Sequence, residues 1–237
     1  MLLTFFLALA TLAGVLSAPA DPREDALAVA RQRMVDEQIQ SRGVTDPQVL
    51  AAMRAVPRHL FVPTGERLAA YEDHPLAIGS GQTISQPYMV ALMTSLLGVH
   101  PGQRVLEVGT GSGYQAAVLS HLVREVYSIE IRAPLGRRAR STLAALGYHN
   151  IQLRIGDGYQ GWPSAAPFDA IVVTAAPPRI PDPLLAQLKA GGRMVIPVGT
   201  ARQDLLVLTK RADGGFDTTT VMPVLFVPMT GEAQRKQ

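Results

Sequence analysis

From Arg104 onward the chain alternates short apolar runs with helical stretches, and no other feature constrains its fold as tightly. Strands are expected at Arg104–Val108, Val126–Glu130, Ile151–Ile155, Ala170–Thr174 and Arg193–Val198, with helices near 114–123, 133–146 and 182–190 between them. Apolar strands separated by helices predict a parallel sheet whose crossover helices cover both faces. The tail departs from this pattern. Asp204–Lys210, a turn at Asp213-Gly214-Gly215 and a long strand towards Pro228 predict two adjacent strands at an antiparallel edge. The fold class is therefore α/β, a doubly wound and mostly parallel sheet with an antiparallel C-terminal edge.

The residues before 104 extend this core. Residues 24–42 read as an amphipathic helix, with Leu27, Ala30, Met34, Val35 and Ile39 at helical spacing and Gly43 closing it. Asp46-Pro47 opens a second short helix, an acceptor at the cap followed by proline in the first turn. Residues 57–87, rich in proline and glycine, read as irregular, and a segment that long without regular structure implies function. Residues 21–237 are expected to form a single domain, with helices and a substrate loop over 24–100 and a ligand-binding core over 101–237.

The first 20 residues stand apart, with no charged side chain before Asp21 and a small-x-small pattern at Ala18-Pro19-Ala20. They read as an export signal cut after Ala20, which would place the protein in the periplasm. The competing readings are an uncleaved anchor, since nineteen mostly apolar residues approach the roughly 20 that span a bilayer, and a cytoplasmic protein. The absence of cysteine excludes disulfides, thiolate metal sites and cysteine catalysis. A net charge of +3 without a dense basic run gives no support to nucleic-acid binding. The five histidines show no metal-ligand spacing, so no metal is expected.

The ligand chemistry is written at three strand ends. Val105 to Tyr114 reads as strand, glycine turn and helix start, with Gly109, Gly111 and Gly113 in the turn. Glycine tolerates positive φ and lets a ligand approach the backbone. The spacing G-x-G-x-G differs from the dinucleotide fingerprint G-x-G-x-x-G, and Glu107 stands two residues before it. A carboxylate there would repel a pyrophosphate and attract a cationic ligand. Glu130 closes the second strand, where it can accept from both ribose hydroxyls, and Asp157-Gly158 follows the third, placed to accept from an adenine amino group. Together they predict an adenosine-bearing ligand without phosphates in the crevice of an open α/β sheet.

These motifs are similar to those of S-adenosylmethionine-dependent methyltransferases, whose core is Rossmann-like. More narrowly, the segment Ile78 to Ala91 (IGSGQTISQPYMVA) resembles the signature of protein-L-isoaspartate O-methyltransferases, as do Ala55–Pro63 (AVPRHLFVP), Phe168–Pro178 (FDAIVVTAAPP), Gly191-Gly192-Arg193 and Phe226-Val227-Pro228. The resemblance runs from about residue 30 to 230. It implies S-adenosyl-L-methionine as methyl donor and the α-carboxylate of isoaspartyl residues in damaged proteins as acceptor, in a monomeric enzyme. It further implies Ser85 as the catalytic position, Thr83 and Ile84 at the substrate, and Gln82 and Thr230 beside the cofactor. The leader is the departure, since the family is usually cytoplasmic.

A carboxylate acceptor with a pKa of about 4 is already ionised at neutral pH, so no general base is required and alignment is the main task. Read from spacing alone, Ser85 fits better as a cap for the apolar helix that follows Pro87, and the resemblance reverses that reading. Two other functions stay open at this stage: transfer to a small carboxylate, and a non-catalytic cofactor-binding module.

Overall fold

Seven strands lie in the order β5-β4-β3-β6-β7-β8-β9: β3 (Arg104–Val108), β4 (Glu125–Glu130), β5 (Ile151–Ile155), β6 (Phe168–Val173), β7 (Leu188–Gly199), β8 (Gln203–Lys210) and β9 (Phe216–Val224). The computed structural model describes residues 22–235, and the expected leader at 1–20 lies outside them. The strands from β5 to β7 pair in parallel, whereas β8 and β9 run antiparallel, so the predicted edge is present and its order is resolved. Successive residues of a strand point to opposite faces. Val105, Val126, Ala170 and Val195 accordingly pack on one face of the sheet, and Leu106, Ile129, Ile171 and Met194 pack on the other.

The first face is covered by α2 (Pro47–Ala55), α3 (Pro87–Leu97) and α4 (Tyr114–Ser120), which bury Met53, Met93 and Leu119 against it. Between β4 and β5 runs α5 (Ala133–Ala145), and the short α6 (Asp182–Ala186) precedes β7. The helix expected to reach residue 190 stops at Ala186, and Leu188 already pairs with Phe168 in the sheet. At Gly192 a Cβ would come within 2.7 Å of the Asp169 carbonyl oxygen. The glycine pair there lets the backbone follow the neighbouring strand closely.

The N-terminal extension is helical throughout but changes pitch. Residues Pro22–Arg33 form α1, Met34–Ile39 a π-helical turn and Gln40–Arg42 a 3₁₀ turn, closed by Gly43 at φ 92°. A π turn aligns residues five apart, and both Met34 and Ile39 are fully buried. Residues 57–87 are more ordered than their composition implies. They contain a hairpin of β1 (Leu76–Gly79) and β2 (Gln82–Ile84), with Leu76 opposite Ile84. Strands of four and three residues are too short for alternation to register in sequence. The turn carries positive φ at Gly79, Ser80 and Gly81 in succession.

Candidate active site

The β1–β2 hairpin folds over the carboxyl ends of β3, β4 and β6, and a cavity of about 70 Å³ lies beneath it. Gln82 and Thr83 line it from the hairpin, Gly109 and Gly111 from the glycine turn, Gly158 from the loop after β5, and Thr230 from the final turn. The turn is tight because it must be. Gly109 has φ 102°, and a Cβ there would sit 2.3 Å from the Thr174 hydroxyl, which donates to the Gly109 carbonyl at 2.7 Å.

Glu130 carries the only charged side chain that lines this cavity among the described residues. One carboxylate oxygen accepts the Gly111 N–H at 2.7 Å and the other the Arg132 N–H at 2.8 Å. These bonds fix the carboxylate and link the glycine turn to the end of β4, and each oxygen keeps a lone pair for a ligand hydroxyl. Ile129, Ile131, Val227 and Met229 give the remaining wall an apolar character. An acceptor carboxylate among apolar walls, with no lysine or arginine in the lining, favours a cationic ligand over a phosphate.

Three of the positions expected at the cofactor, Glu107, Gly113 and Asp157, do not line the cavity. Gly113 begins α4 at φ 91° and faces Ala139 and Leu143 of α5, so its place in the turn is one of helix packing. Asp157 turns its carboxylate to the backbone, accepting the Tyr159 N–H at 2.9 Å and the Glu232 N–H at 2.7 Å. It braces Gly158 and the Thr230 turn, which do line the cavity.

Glu107 requires a correction. It is completely buried beneath the turn, where its carboxyl accepts from the Ser128 hydroxyl, and Ser128 in turn meets Thr110 at 2.5 Å. Burial pushes this carboxyl up to about 8, aided by the charge of Glu130 and opposed by the Ser128 bond. Burial thus favours its protonated form, which weakens the repulsion of phosphate expected from it. Strand position did not say which face of β3 Glu107 would take.

A second opening, a groove of about 570 Å³, runs beside the cavity. Ser85, Gln86 and Met89 form one wall, and the exit of β9 from Met222 to Val227 forms the other. Thr83, Thr174 and Val227 line both spaces and so form the passage between them. A narrower space joins Ser85 and Ile84 to Gly109 and Gly111 directly. Ile84 is 4% exposed and belongs mainly to the core. Gln86, not Ser85, is the N-cap residue of α3, and no cap side chain bonds to that helix end. The hydroxyl of Ser85 is thus free of the capping role that spacing allowed. Thr174, at all three spaces, is the residue that sequence reasoning missed; its place just past the end of β6 was the available signal.

With this geometry established, the chain can be set beside known proteins. The sequence model of the family "Protein-L-isoaspartate(D-aspartate) O-methyltransferase (PCMT)" matches residues 29–234. A protein-L-isoaspartate O-methyltransferase 2 of Polaromonas sp. (strain JS666) is 60% identical over 189 residues, covering 79% of this chain and 90% of that one. A protein-L-isoaspartate O-methyltransferase of Gloeobacter violaceus is 57% identical, covering 84% of this chain and 98% of that one. Among solved structures, a protein-L-isoaspartate O-methyltransferase superposes with a TM-score of 0.77 at 30% identity, covering 87% of this chain and 69% of that one. A Plasmodium falciparum protein described as belonging to the same group, crystallised with S-adenosyl-L-homocysteine, gives 0.75 at 26% identity, covering 84% and 98%.

Proposed function

The chain belongs to the protein-L-isoaspartate (D-aspartate) O-methyltransferase family, and on that premise we propose how its two connected spaces carry out the repair of isoaspartyl proteins. The observation that carries the reading is the junction. A cavity suited to a cationic adenosine compound meets an open groove at Thr83 and Thr174, with Ser85 beside it. S-adenosyl-L-methionine is the methyl donor, and it supplies a methyl group on a sulfonium that passes to an acceptor oxygen without any proton being moved.

Glu130 accepts the ribose hydroxyls, held for this by the Gly111 and Arg132 amides. Gly109 and Gly111 let the amino-acid part lie against backbone, and Ile131 and Met229 flank the base. Gln82 and Thr230 close the cavity from the hairpin and the final turn. On the groove side, Ser85 donates its O–H to one oxygen of the isoaspartyl α-carboxylate and holds the other towards the passage, with Thr83 beside it. That acceptor is ionised at neutral pH, so positioning replaces base catalysis, and orientation of this kind can be worth roughly 7–11 kcal/mol. The resulting methyl ester loses methanol to give a succinimide, whose hydrolysis returns part of the population to the aspartyl linkage.

The leader supports a finer reading, in which residues 1–20 direct export and the enzyme repairs proteins of the periplasm. Mass spectrometry of the protein from its native host tests that part: an N-terminus at Asp21 supports export, and an intact Met1 in the soluble cytoplasmic fraction overturns it. For the reaction itself, labelled S-adenosyl-L-methionine is offered with paired aspartyl and isoaspartyl peptides. Label on the isoaspartyl peptide alone is expected, and equal labelling of both, or label only on small acids, would sink the assignment.

A further inference from the structure

The segment that carries Ser85 is held from outside itself. Helix α2 is capped locally, its Asp46 side chain accepting from Gln48 and Val49 at 2.9 and 3.3 Å. Helix α3 has no such local cap, because the Gln86 side chain bonds none of its backbone amides. Asp73, fifteen residues upstream of Tyr88, takes over that task. Its Oδ1 accepts the Tyr88 backbone N–H at 2.9 Å, and its Oδ2 accepts the Gln86 side-chain amide at 3.2 Å. The same Oδ2 pairs at 2.5 Å with Arg42, at the end of the N-terminal helical run. The Arg42 guanidinium lies 3.5 Å over the Tyr88 ring.

We propose that Asp73, locked by Arg42, is a positioning residue for Ser85: its carboxylate ties Gln86 and Tyr88 down and thereby fixes the hydroxyl at the junction of cavity and groove. The geometry carries this on two counts. First, Asp73 stands just before Pro75 and Leu76, which open β1, while Gln86 and Tyr88 follow β2, so one carboxylate closes both ends of the segment that includes Thr83 and Ser85. Second, a carboxylate at a helix N-terminus is favoured by the helix dipole, and the Arg42 cation on the oxygen that also accepts Gln86 removes its freedom to rotate. The 3.5 Å stack of Arg42 on the Tyr88 ring adds a second contact to the same residue. The N-terminal helices thus act on the groove without lining it.

This inference rests on the assignment of Ser85 above, and its test separates the two. Wild type, Asp73→Ala, Asp73→Asn, Arg42→Ala and Ser85→Ala are compared for kcat and KM with an isoaspartyl peptide, for S-adenosyl-L-methionine affinity by titration, and for thermal midpoint. If the wild type transfers no methyl group to the peptide, the functional reading fails. If Ser85→Ala turns over normally, the role of Ser85 fails. Given a competent wild type and a defective Ser85→Ala, Asp73→Ala is expected to lose about tenfold or more in kcat, with KM and cofactor affinity within about threefold. Asp73→Asn keeps a neutral acceptor for the Tyr88 amide and should recover part of that loss. Arg42→Ala, a change at a half-exposed position, should show a smaller loss in the same sense and keeps the test open if Asp73→Ala does not fold. The proposal is overturned if the thermal midpoint falls while kcat per folded molecule stays at the wild-type value, because Asp73 would then be a helix cap only.

Discussion

At the scale of single residues, the strand-end acids have parted into different tasks. Glu130 faces the cavity, Asp157 braces its wall, and Glu107 lies beneath the turn. Asp157→Ala leaves the Tyr159 and Glu232 amides without their acceptor. It is therefore expected to cost about 1–3 kcal/mol of stability and to weaken S-adenosyl-L-methionine binding through the displaced Gly158 and Thr230 walls. Isothermal titration and chemical denaturation read the two effects side by side, and a loss of affinity with no loss of stability would argue for direct contact instead. Ser85→Ala should lower turnover while stability stays within about 0.5 kcal/mol, since its hydroxyl caps no helix. The glycine turn and Glu130 were legible in sequence because spacing and strand-end position determine what they can do. The orientation of Glu107 was not legible, since in a strand buried on both faces alternation does not tell which face meets the ligand.

At the scale of elements, the strands from β3 to β8 could be read because apolar runs between helical stretches leave few alternatives. The hairpin β1–β2 could not, although it roofs the cavity. Its support comes from the far side of the site, where the Arg138 guanidinium on α5 donates to the Ile78 carbonyl. Ile78 itself lies 3.3 Å from where a Cβ on Gly111 would stand, so the hairpin rests on the glycine turn. An arginine on a helix surface gives no sign in sequence that it latches a loop sixty residues earlier. Arg138→Ala is expected to weaken S-adenosyl-L-methionine binding by about 0.5–1.5 kcal/mol, the usual net worth of such a bond, with little change in the peptide KM. The check is titration of the variant; unchanged affinity would mean that the hairpin holds its place through β-pairing and Ile78 alone.

At the scale of the whole molecule, the buried ionisable groups decide how stability follows pH, and Glu107 dominates on the alkaline side. Its carboxyl is pushed up from 4.5 to about 8 by burial, with Glu130 adding to the shift. The folded state therefore holds a proton that the unfolded chain releases above about pH 4.5. The contribution is complete below that value and is lost progressively as pH rises through about 8. His59 works in the opposite direction. Burial lowers it from 6.5, against the raising influence of Glu24, so the unfolded chain takes up its proton first and stability falls as pH drops below about 6.5. Above pH 6.5 the Glu107 slope stands without that opposition. Replacing Glu107 by Gln keeps an acceptor for Ser128 and removes the ionisation. The difference in unfolding free energy between variant and wild type should then move in the variant's favour from pH 6.5 to 8.5, by on the order of 1–3 kcal/mol. Denaturant titrations at several pH values measure that difference directly, and His59 cancels because both proteins contain it. A difference that does not change with pH would show that Glu107 is already ionised in the folded protein. The protonated form also predicts that Glu107→Gln keeps its affinity for S-adenosyl-L-methionine within about threefold, whereas a buried anion facing the sulfonium would lose far more on the same substitution.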